Sequence, residues 1–136
     1  MNQPISSMMQ RRVWVADIDD TVASVEQLLA EHELSWVPVQ DDGRGVIGVI
    51  SATDLLQFHA SKRDAAAVRA WQVCAYKPLV VVPDTAVDEV ARRMVERRLH
   101  HAVVMEGEAI KGVVSSLDFV LTFVTTANGQ RPGSKP

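Results

Sequence analysis

The heptapeptide Gly48-Val49-Ile50-Ser51-Ala52-Thr53-Asp54 has a near copy in Gly112-Val113-Val114-Ser115-Ser116-Leu117-Asp118. In each copy a glycine leads into a short β-branched run, a serine follows, and an aspartate stands three positions after the serine. This order is typical of a strand that passes into a helix, because an aspartate there can accept hydrogen bonds from amides that the first helical turn leaves free. A heptapeptide that recurs within 136 residues indicates an internal duplication.

The duplication extends over most of the chain. A shift of 65 residues places Asp19 on Asp84 and Val39 on Val104, and after a shorter turn a shift of 64 places Gly48 on Gly112. Residue patterning predicts the order β-α-β-β-α in each copy, with Asp20 or Thr21 as the first helix cap. The predicted strands are 12–16, 36–39, 46–51, 79–82, 102–105 and 110–115, and the predicted helices are 22–32, 54–72, 87–98 (Val95 facing inward) and 118–124.

These units predict the domain organisation and the fold class. We expect a flexible lead-in over 1–7, a first repeat with its linking helix over 8–72, a second repeat over 73–124 and a disordered tail over 125–136. Each unit has a small sheet with one apolar face that must be buried. Packing the two sheets against each other across a pseudo-two-fold axis buries both faces. The predicted fold class is α/β (α+β), with two pseudo-symmetric repeats packed through their sheets and ligand clefts between them.

The composition narrows the class of protein. With 47% hydrophobic and 23% charged residues, the chain is typical of soluble globular domains. Without an apolar run of about 20 residues or a signal-like start, we expect no membrane contact and a cytoplasmic protein. The net charge of −3 argues against a general nucleic-acid binder.

The sequence also offers little for catalysis. Cys74 is the only cysteine, which excludes a disulfide or a Cys-based zinc site and favours a small buried thiol. There is no nucleophile with a paired base, no Gly-rich phosphate loop and no convincing metal-ligand cluster. We therefore predict no enzyme, no metal and no cofactor.

The repeated signature resembles a known family. The β-α-β-β-α unit, the Val37-Pro38-Val39 strand, the Asp42-Gly43 turn and the two G-h-h-S-x-x-D stretches (h apolar) look like a tandem pair of cystathionine-β-synthase (CBS) domains, or Bateman module. The match covers about residues 8–122. The resemblance implies a module that binds an adenosyl compound (AMP, ADP, ATP or S-adenosylmethionine) in clefts between the repeats.

The resemblance also assigns roles to the signature residues. The aspartate holds the ribose hydroxyls and the serine contacts ribose or phosphate, which carries onto Asp54 with Ser51 and Asp118 with Ser115. A carboxylate at a helix N-terminus is stabilised there and can accept from two vicinal hydroxyls. The alternative is that both aspartates are simply helix caps.

By the same resemblance, the adenine slot is lined by the strand entering each repeat and by the residues before the V-P-V strand. The implied residues are Met9, Val13, Trp14, Ser35 and Trp36 in the first repeat, and Cys74, Pro78, Leu79, His100 and His101 in the second. Alternatively, both tryptophans belong to the core, or they fill the slot that a base would need. His100 and His101 stand where relatives carry basic residues facing phosphates, or else are strand-edge histidines; Arg11, Arg12, Arg97 and Arg98 are the other phosphate candidates.

Two departures from the family pattern weaken the case for a ligand site in the second repeat. Val103 stands where the family usually has proline, and Leu117 stands where a polar residue can help to bind ribose. We therefore favour the Ser51–Asp54 site over the Ser115–Asp118 site. The predicted function is a sensory module acting through a homodimer or an effector protein in trans; the alternative is a ligand-free dimerisation module.

Overall fold

The computed structural model describes residues 2–42 and 44–128, with side chains to residue 125, and divides the chain into two compact units. One unit is the continuous stretch Trp14–Pro78, which carries the first repeat. The other combines the chain up to Val13 with the chain from Leu79 onward, and carries the second repeat. In the described part of the chain, no helix has the length and apolar character needed to cross a bilayer.

The first unit is a four-stranded sheet covered by two helices. Its elements are β1 (Ala16–Asp17), α1 (Val22–His32), β2 (Trp36–Gln40), β3 (Val46–Ser51), α2 (Ala52–Ala60), a 3-10 helix (Ala70–Gln72) and β4 (Ala75–Tyr76). The strand order is β1-β2-β3-β4, with β1 parallel to β2 and the other pairs antiparallel. The core packs the inner faces of both helices against the sheet and includes Val25, Leu29, Ile50, Leu55 and Phe58.

The second unit repeats this plan. Its elements are a 3-10 helix (Ile5–Ser7), β5 (Val80–Val81), α3 (Val87–Arg97), β6 (His101–Glu106), β7 (Ala109–Ser115) and α4 (Ser116–Asn128). The sheet order is β5-β6-β7, with β5 parallel to β6 and β6 antiparallel to β7. Its core includes Ile5, Val90, Met94, Val114 and Phe119. The predicted two-repeat fold class is confirmed.

Each unit is completed by the segment that precedes the other repeat in the sequence. Ile5 donates its backbone N–H to Thr85 O (2.7 Å), and 65 residues later Ala70 donates to Asp20 O (2.8 Å). Two further pairs of backbone bonds are related by the same shift of 65 residues. The bond from Ser6 N to Pro83 O corresponds to the bond from Trp71 N to Ile18 O. The bond from Val87 N to Gln3 O corresponds to the bond from Val22 N to Val68 O. Ile5 and Ala70 are both fully buried. The predicted lead-in over 1–7 therefore holds an ordered 3-10 helix, because Ile5 fills a place in the core.

Other boundaries also differ from the sequence expectation. The predicted helix over 54–72 ends at Ala60, because Lys62 adopts a left-handed φ of 60° and the Ser61 hydroxyl donates to Phe58 O. The predicted strand over 12–16 is reduced to Ala16–Asp17, the two residues that pair with β2.

At the far end, α4 runs on to Asn128, so residues 125–128 are helical and not part of a tail; 129–136 lie outside the described residues. Val95, expected to face inward, is 78% exposed.

Candidate ligand-binding site

The Ser51–Asp54 stretch forms a reciprocal cap at the start of α2. Ser51 N donates to Asp54 Oδ2 at 2.8 Å, the Ser51 hydroxyl donates to the same oxygen at 3.0 Å, and Asp54 N donates to Ser51 Oγ at 3.3 Å. The two bonds donated by Ser51 share one carboxylate oxygen of Asp54, and the third bond ends on the Ser51 hydroxyl. The Asp54 residue is half-buried. The cap therefore fixes the carboxylate at the N-terminal end of the helix, where the helix dipole favours negative charge.

The second signature builds the same cap. Ser115 N donates to Asp118 Oδ2 at 2.8 Å, and Asp118 N donates to Ser115 Oγ at 3.3 Å. Here the other oxygen, Oδ1, also accepts a bond, from Gln10 Nε2 at 3.3 Å. The two carboxylates thus share one backbone geometry but differ in their side-chain surroundings.

The signature glycines allow a close approach of backbone beside each cap. A Cβ on Gly48 would stand 2.5 Å from Ala75 O in β4, and a Cβ on Gly112 would stand 2.9 Å from Gln10 O and 2.6 Å from Met9 Sδ. Ala75 pairs with Val49, and Gln10 pairs with Val113 in the same way. The absence of a side chain at each glycine is therefore what lets the entering segment lie next to the signature.

The structure divides each predicted adenine-slot set between the two units. Met9 and Val13 belong to the unit of the second repeat, whereas Cys74 and Pro78 belong to the unit of the first. This division follows from the exchange of entering segments. Trp14, Ser35 and Trp36 lie in the first unit, and Leu79, His100 and His101 lie in the second.

The aromatic candidates of the first unit have different surroundings. The Trp14 ring stacks on the His32 ring, with centroids 3.6 Å apart and planes 12° apart. Trp36 is buried, and Ser35 is exposed and accepts a backbone bond from Ala52 N. One face of the Trp14 ring is therefore covered by His32.

The candidate phosphate contacts are on the surface. His100 is exposed and its carbonyl accepts from Ser116 N at 2.9 Å; His101 begins β6, opposite Ser115, and is half-buried. Their rings are nearly perpendicular, with centroids 6.4 Å apart. The four candidate arginines (Arg11, Arg12, Arg97 and Arg98) are all exposed.

Cys74 lies beside the first cap. It is buried, and that burial raises the pKa of its thiol, with a smaller raising effect from the Asp54 carboxylate. The Tyr76 hydroxyl, which donates to Trp71 O, acts in the opposite direction by hydrogen bonding to the sulfur. A thiol in this state is a small core side chain rather than a nucleophile. Among the residues described, no cluster of three or more His, Cys, Asp or Glu could hold a metal ion.

Sequence reasoning missed three residues near the candidate site: Gln10, Ala75 and His32. The 65-residue shift aligns Gln10 with Ala75, so the repeat itself could have indicated that the two occupy equivalent places. Nothing in the local pattern indicated that His32, on the predicted helix, would stack on Trp14.

Comparison with known proteins supports the interpretation of two repeats. The profile of the CBS domain matches residues 5–61 and 70–124. A hexameric CBS-CP12 protein from bloom-forming cyanobacteria is 24% identical with a TM-score of 0.83, over 97% of this chain and 74% of that one. CBSX2 in complex with AMP is 23% identical with a TM-score of 0.76, over 92% and 98% of the two chains. A CBS domain pair in complex with 5′-methylthioadenosine and S-adenosyl-L-methionine is 16% identical with a TM-score of 0.81, over 93% and 99%.

At these identities the structural likeness shows the fold, while the profile match, which spans most of the chain, shows the family. Both matched segments contain one signature and its cap. The chain therefore belongs to the CBS domain family and carries two CBS domains in tandem.

Proposed function

We propose that this protein is a regulatory module that binds an adenosyl compound through its signature carboxylates and transmits the binding by a change in association. The observation that carries the proposal is the half-buried Asp54 carboxylate, which accepts two hydrogen bonds from Ser51 at the start of α2; Asp118 likewise accepts the backbone N–H of Ser115. A carboxylate in this setting is an acceptor for the vicinal hydroxyls of a ribose. The cytoplasmic location predicted from the sequence belongs to the same proposal.

Relatives support the ligand class. CBSX2 binds AMP, and another CBS domain pair binds 5′-methylthioadenosine and S-adenosyl-L-methionine. These ligands share an adenosine ribose, which is the part that Asp54 would hold. For this chain the candidates are AMP, ADP, ATP and S-adenosylmethionine. Ser51, Ser115 and the faces of Trp14 and Trp36 are further proposed contacts, as are Met9, Val13, Ser35, Pro78, Leu79, His100 and His101.

A thermal-shift panel of AMP, ADP, ATP, GTP, NAD and S-adenosylmethionine tests the proposal. A ligand present at 100 times its dissociation constant adds about 2.7 kcal/mol to the free energy of unfolding. We expect the native protein to respond to at least one adenosyl compound, and Asp54→Ala to lose most of that response.

The control is Thr21→Ala, which removes a helix cap of the same unit away from the signature: Thr21 Oγ1 accepts from Ser24 N at 3.1 Å. It should lower the melting temperature and keep the ligand response. A native protein that responds to none of the six compounds would favour the ligand-free dimerisation module. Equal responses from native, Asp54→Ala and Asp118→Ala proteins would show that the assigned carboxylates are not the site.

We also propose that the protein is a homodimer. A groove of about 400 Å³ lies between α3 and α4. Its apolar lining residues are Ala91, Met94, Val95, Leu99, Phe119 and Phe123, and its polar ones are Arg98, His100 and Ser116. In the first repeat the places of Ala91 and Phe123 are taken by Glu26 and His59, whose side chains meet at 2.5 Å and bridge α1 to α2. The groove is thus a feature of the second repeat, and its largely apolar lining favours a second copy of the same surface.

Sedimentation at micromolar concentration tests the dimer. Val95→Glu places a charge on a residue that is 78% exposed, so it should dissociate the dimer without unfolding the chain. Leu56→Glu is the matched control, since Leu56 is a similarly exposed apolar residue (72%) on α2 that does not line the groove. A native monomer, or a Val95→Glu variant that stays dimeric, would contradict this interface.

A further inference from the structure

We infer that the Gln10 side chain competes with ligand for the Asp118 carboxylate, so that the second repeat binds an adenosyl compound more weakly than the first. The inference rests on the proposed function, because it concerns the same carboxylates. Two hydrogen bonds distinguish the carboxylates: the Ser51 hydroxyl donates to Asp54 Oδ2 at 3.0 Å, and Gln10 Nε2 donates to Asp118 Oδ1 at 3.3 Å. Only the second engages Oδ1, the oxygen that the cap does not use.

In each repeat the cap bonds use Oδ2 and leave Oδ1 as the carboxylate oxygen more open to a ligand. In both signatures Oδ2 accepts the serine backbone N–H at 2.8 Å, and this bond is part of the helix start. A ribose hydroxyl that approaches Asp118 therefore donates to Oδ1, which is the oxygen that Gln10 engages. Ligand and amide compete for the same atom.

The backbone holds Gln10 in this place. Gln10 N donates to Val113 O at 2.9 Å, and Val113 N donates to Gln10 O at 3.0 Å. A Cβ at position 112 would lie 2.9 Å from Gln10 O and would push the segment away. Gly112 has no Cβ, so the segment can stay in place. The side chain itself is exposed, so it is free to swing off Asp118 when a better donor arrives.

The first repeat lacks the competitor. Ala75 pairs with Val49 as Gln10 pairs with Val113, and its methyl group has no donor to offer Asp54. Ala75 is exposed, so a longer side chain fits there without burial. The two positions therefore allow a reciprocal exchange, Gln10→Ala in one repeat and Ala75→Gln in the other.

The size of the effect follows from the bond that is lost. An exposed hydrogen bond of 3.3 Å lies at the weak end for a charged acceptor, so displacing it should cost about three- to tenfold in affinity. The same factor is expected with AMP and with ATP, because Gln10 competes for the ribose contact that both ligands share.

Isothermal titration with AMP and with ATP tests the inference on four proteins: native, Gln10→Ala, Ala75→Gln and Gln10→Ala with Asp118→Ala. We expect Gln10→Ala to tighten the weaker site by about three- to tenfold, and the added Asp118→Ala to abolish that gain. Ala75→Gln should weaken the tighter site by a similar factor.

The inference fails if Gln10→Ala leaves the weaker site unchanged, or if it weakens that site, which would make Gln10 a ligand contact. Either result leaves the proposed function intact, because native protein still binds. If none of the four proteins binds AMP or ATP, the proposed function itself is wrong, and the inference falls with it.

Discussion

Gly48→Ala is the substitution that probes the join between the signature and the entering segment most directly. The new Cβ would stand 2.5 Å from Ala75 O and 3.1 Å from Cys74 Sγ. Ala75 O belongs to the backbone of β4, whose register with β3 pairs Gly48 with Tyr76 and Val49 with Ala75. Relief of the contact therefore requires a shift of the strand pair and not of one side chain.

The expected loss is that of an overpacked core, about 1–3 kcal/mol. For a domain of this size, that corresponds to a fall of roughly 4–12 °C in melting temperature. The sign of the change in unfolding free energy is informative. An alanine that fits without strain stabilises a protein by about 0.4–1 kcal/mol, because it reduces the conformational entropy of the unfolded chain. A loss therefore reports the close approach.

Gly112→Ala is the matched control in the second repeat. Its nearest neighbours are Met9 Sδ at 2.6 Å and Met9 Cγ at 2.7 Å, which belong to a flexible side chain, with Gln10 O at 2.9 Å behind them. We expect a smaller loss than for Gly48→Ala, measured by urea unfolding followed by circular dichroism. A Gly48→Ala protein as stable as native, or more stable than Gly112→Ala, would refute the reasoning.

Three further predictions use other parts of the molecule. Hydrogen bonds from Arg92 and Arg93 lower the pKa of Glu89 to about 2, so this carboxylate stabilises the fold above pH 4.5 and the stabilisation is lost as the pH falls towards 2. The Glu89→Gln variant should have a lower melting temperature than the native protein at pH 7 and the same melting temperature near pH 2. A difference in melting temperature that persists at pH 2 would contradict this. Because burial raises the pKa of the Cys74 thiol, iodoacetamide at pH 8 should alkylate it slowly in the native protein and quickly in urea, and equal rates would exclude a buried thiol. A fragment of residues 14–78 should unfold more cooperatively by circular dichroism than one of residues 8–72, because only the former contains β4; the reverse order would show that β4 does not complete the unit.

The sequence was sufficient for the elements that follow from local periodicity. The helix over Val22–His32 and the strand over Val46–Ser51 are predicted to the residue, since the helix has one clear apolar face and the strand is a short β-branched run. Local pattern could not predict that helix α2 ends at Ala60, because the apolar residues of 61–72 serve the core from turns and a 3-10 helix instead of a continuous helix.

The exchange of entering segments was also beyond local reasoning. Ile5 and Ala70 occupy equivalent places in opposite repeats, and only long-range backbone bonds reveal which unit each completes. The same holds for the candidate site. The sequence predicts a capping role for Asp54 and Asp118, although Ser51 is the N-cap of α2 and Asp54 is its partner in the capping box. The contact of Gln10 with Asp118 joins residues 108 positions apart, which local pattern does not reach.

The two repeats share one backbone arrangement and differ in the side chains around the signature carboxylate and between the two helices. Gln10 faces the Asp118 carboxylate where the first repeat has Ala75, and Ala91 with Phe123 leave an open groove where the first repeat has the Glu26–His59 bridge. In the proposed function, the first difference favours ligand at Asp54 and the second favours association through α3 and α4. A ligand that binds one repeat can alter association through the other only if the two events are coupled in free energy, and coupling is reciprocal. Dimer formation should then raise the affinity for the ligand by the same factor by which the ligand tightens the dimer. Titrations of native and Val95→Glu proteins with AMP and with ATP measure that factor directly, and equal affinities in the two proteins would show that the ligand does not regulate this interface.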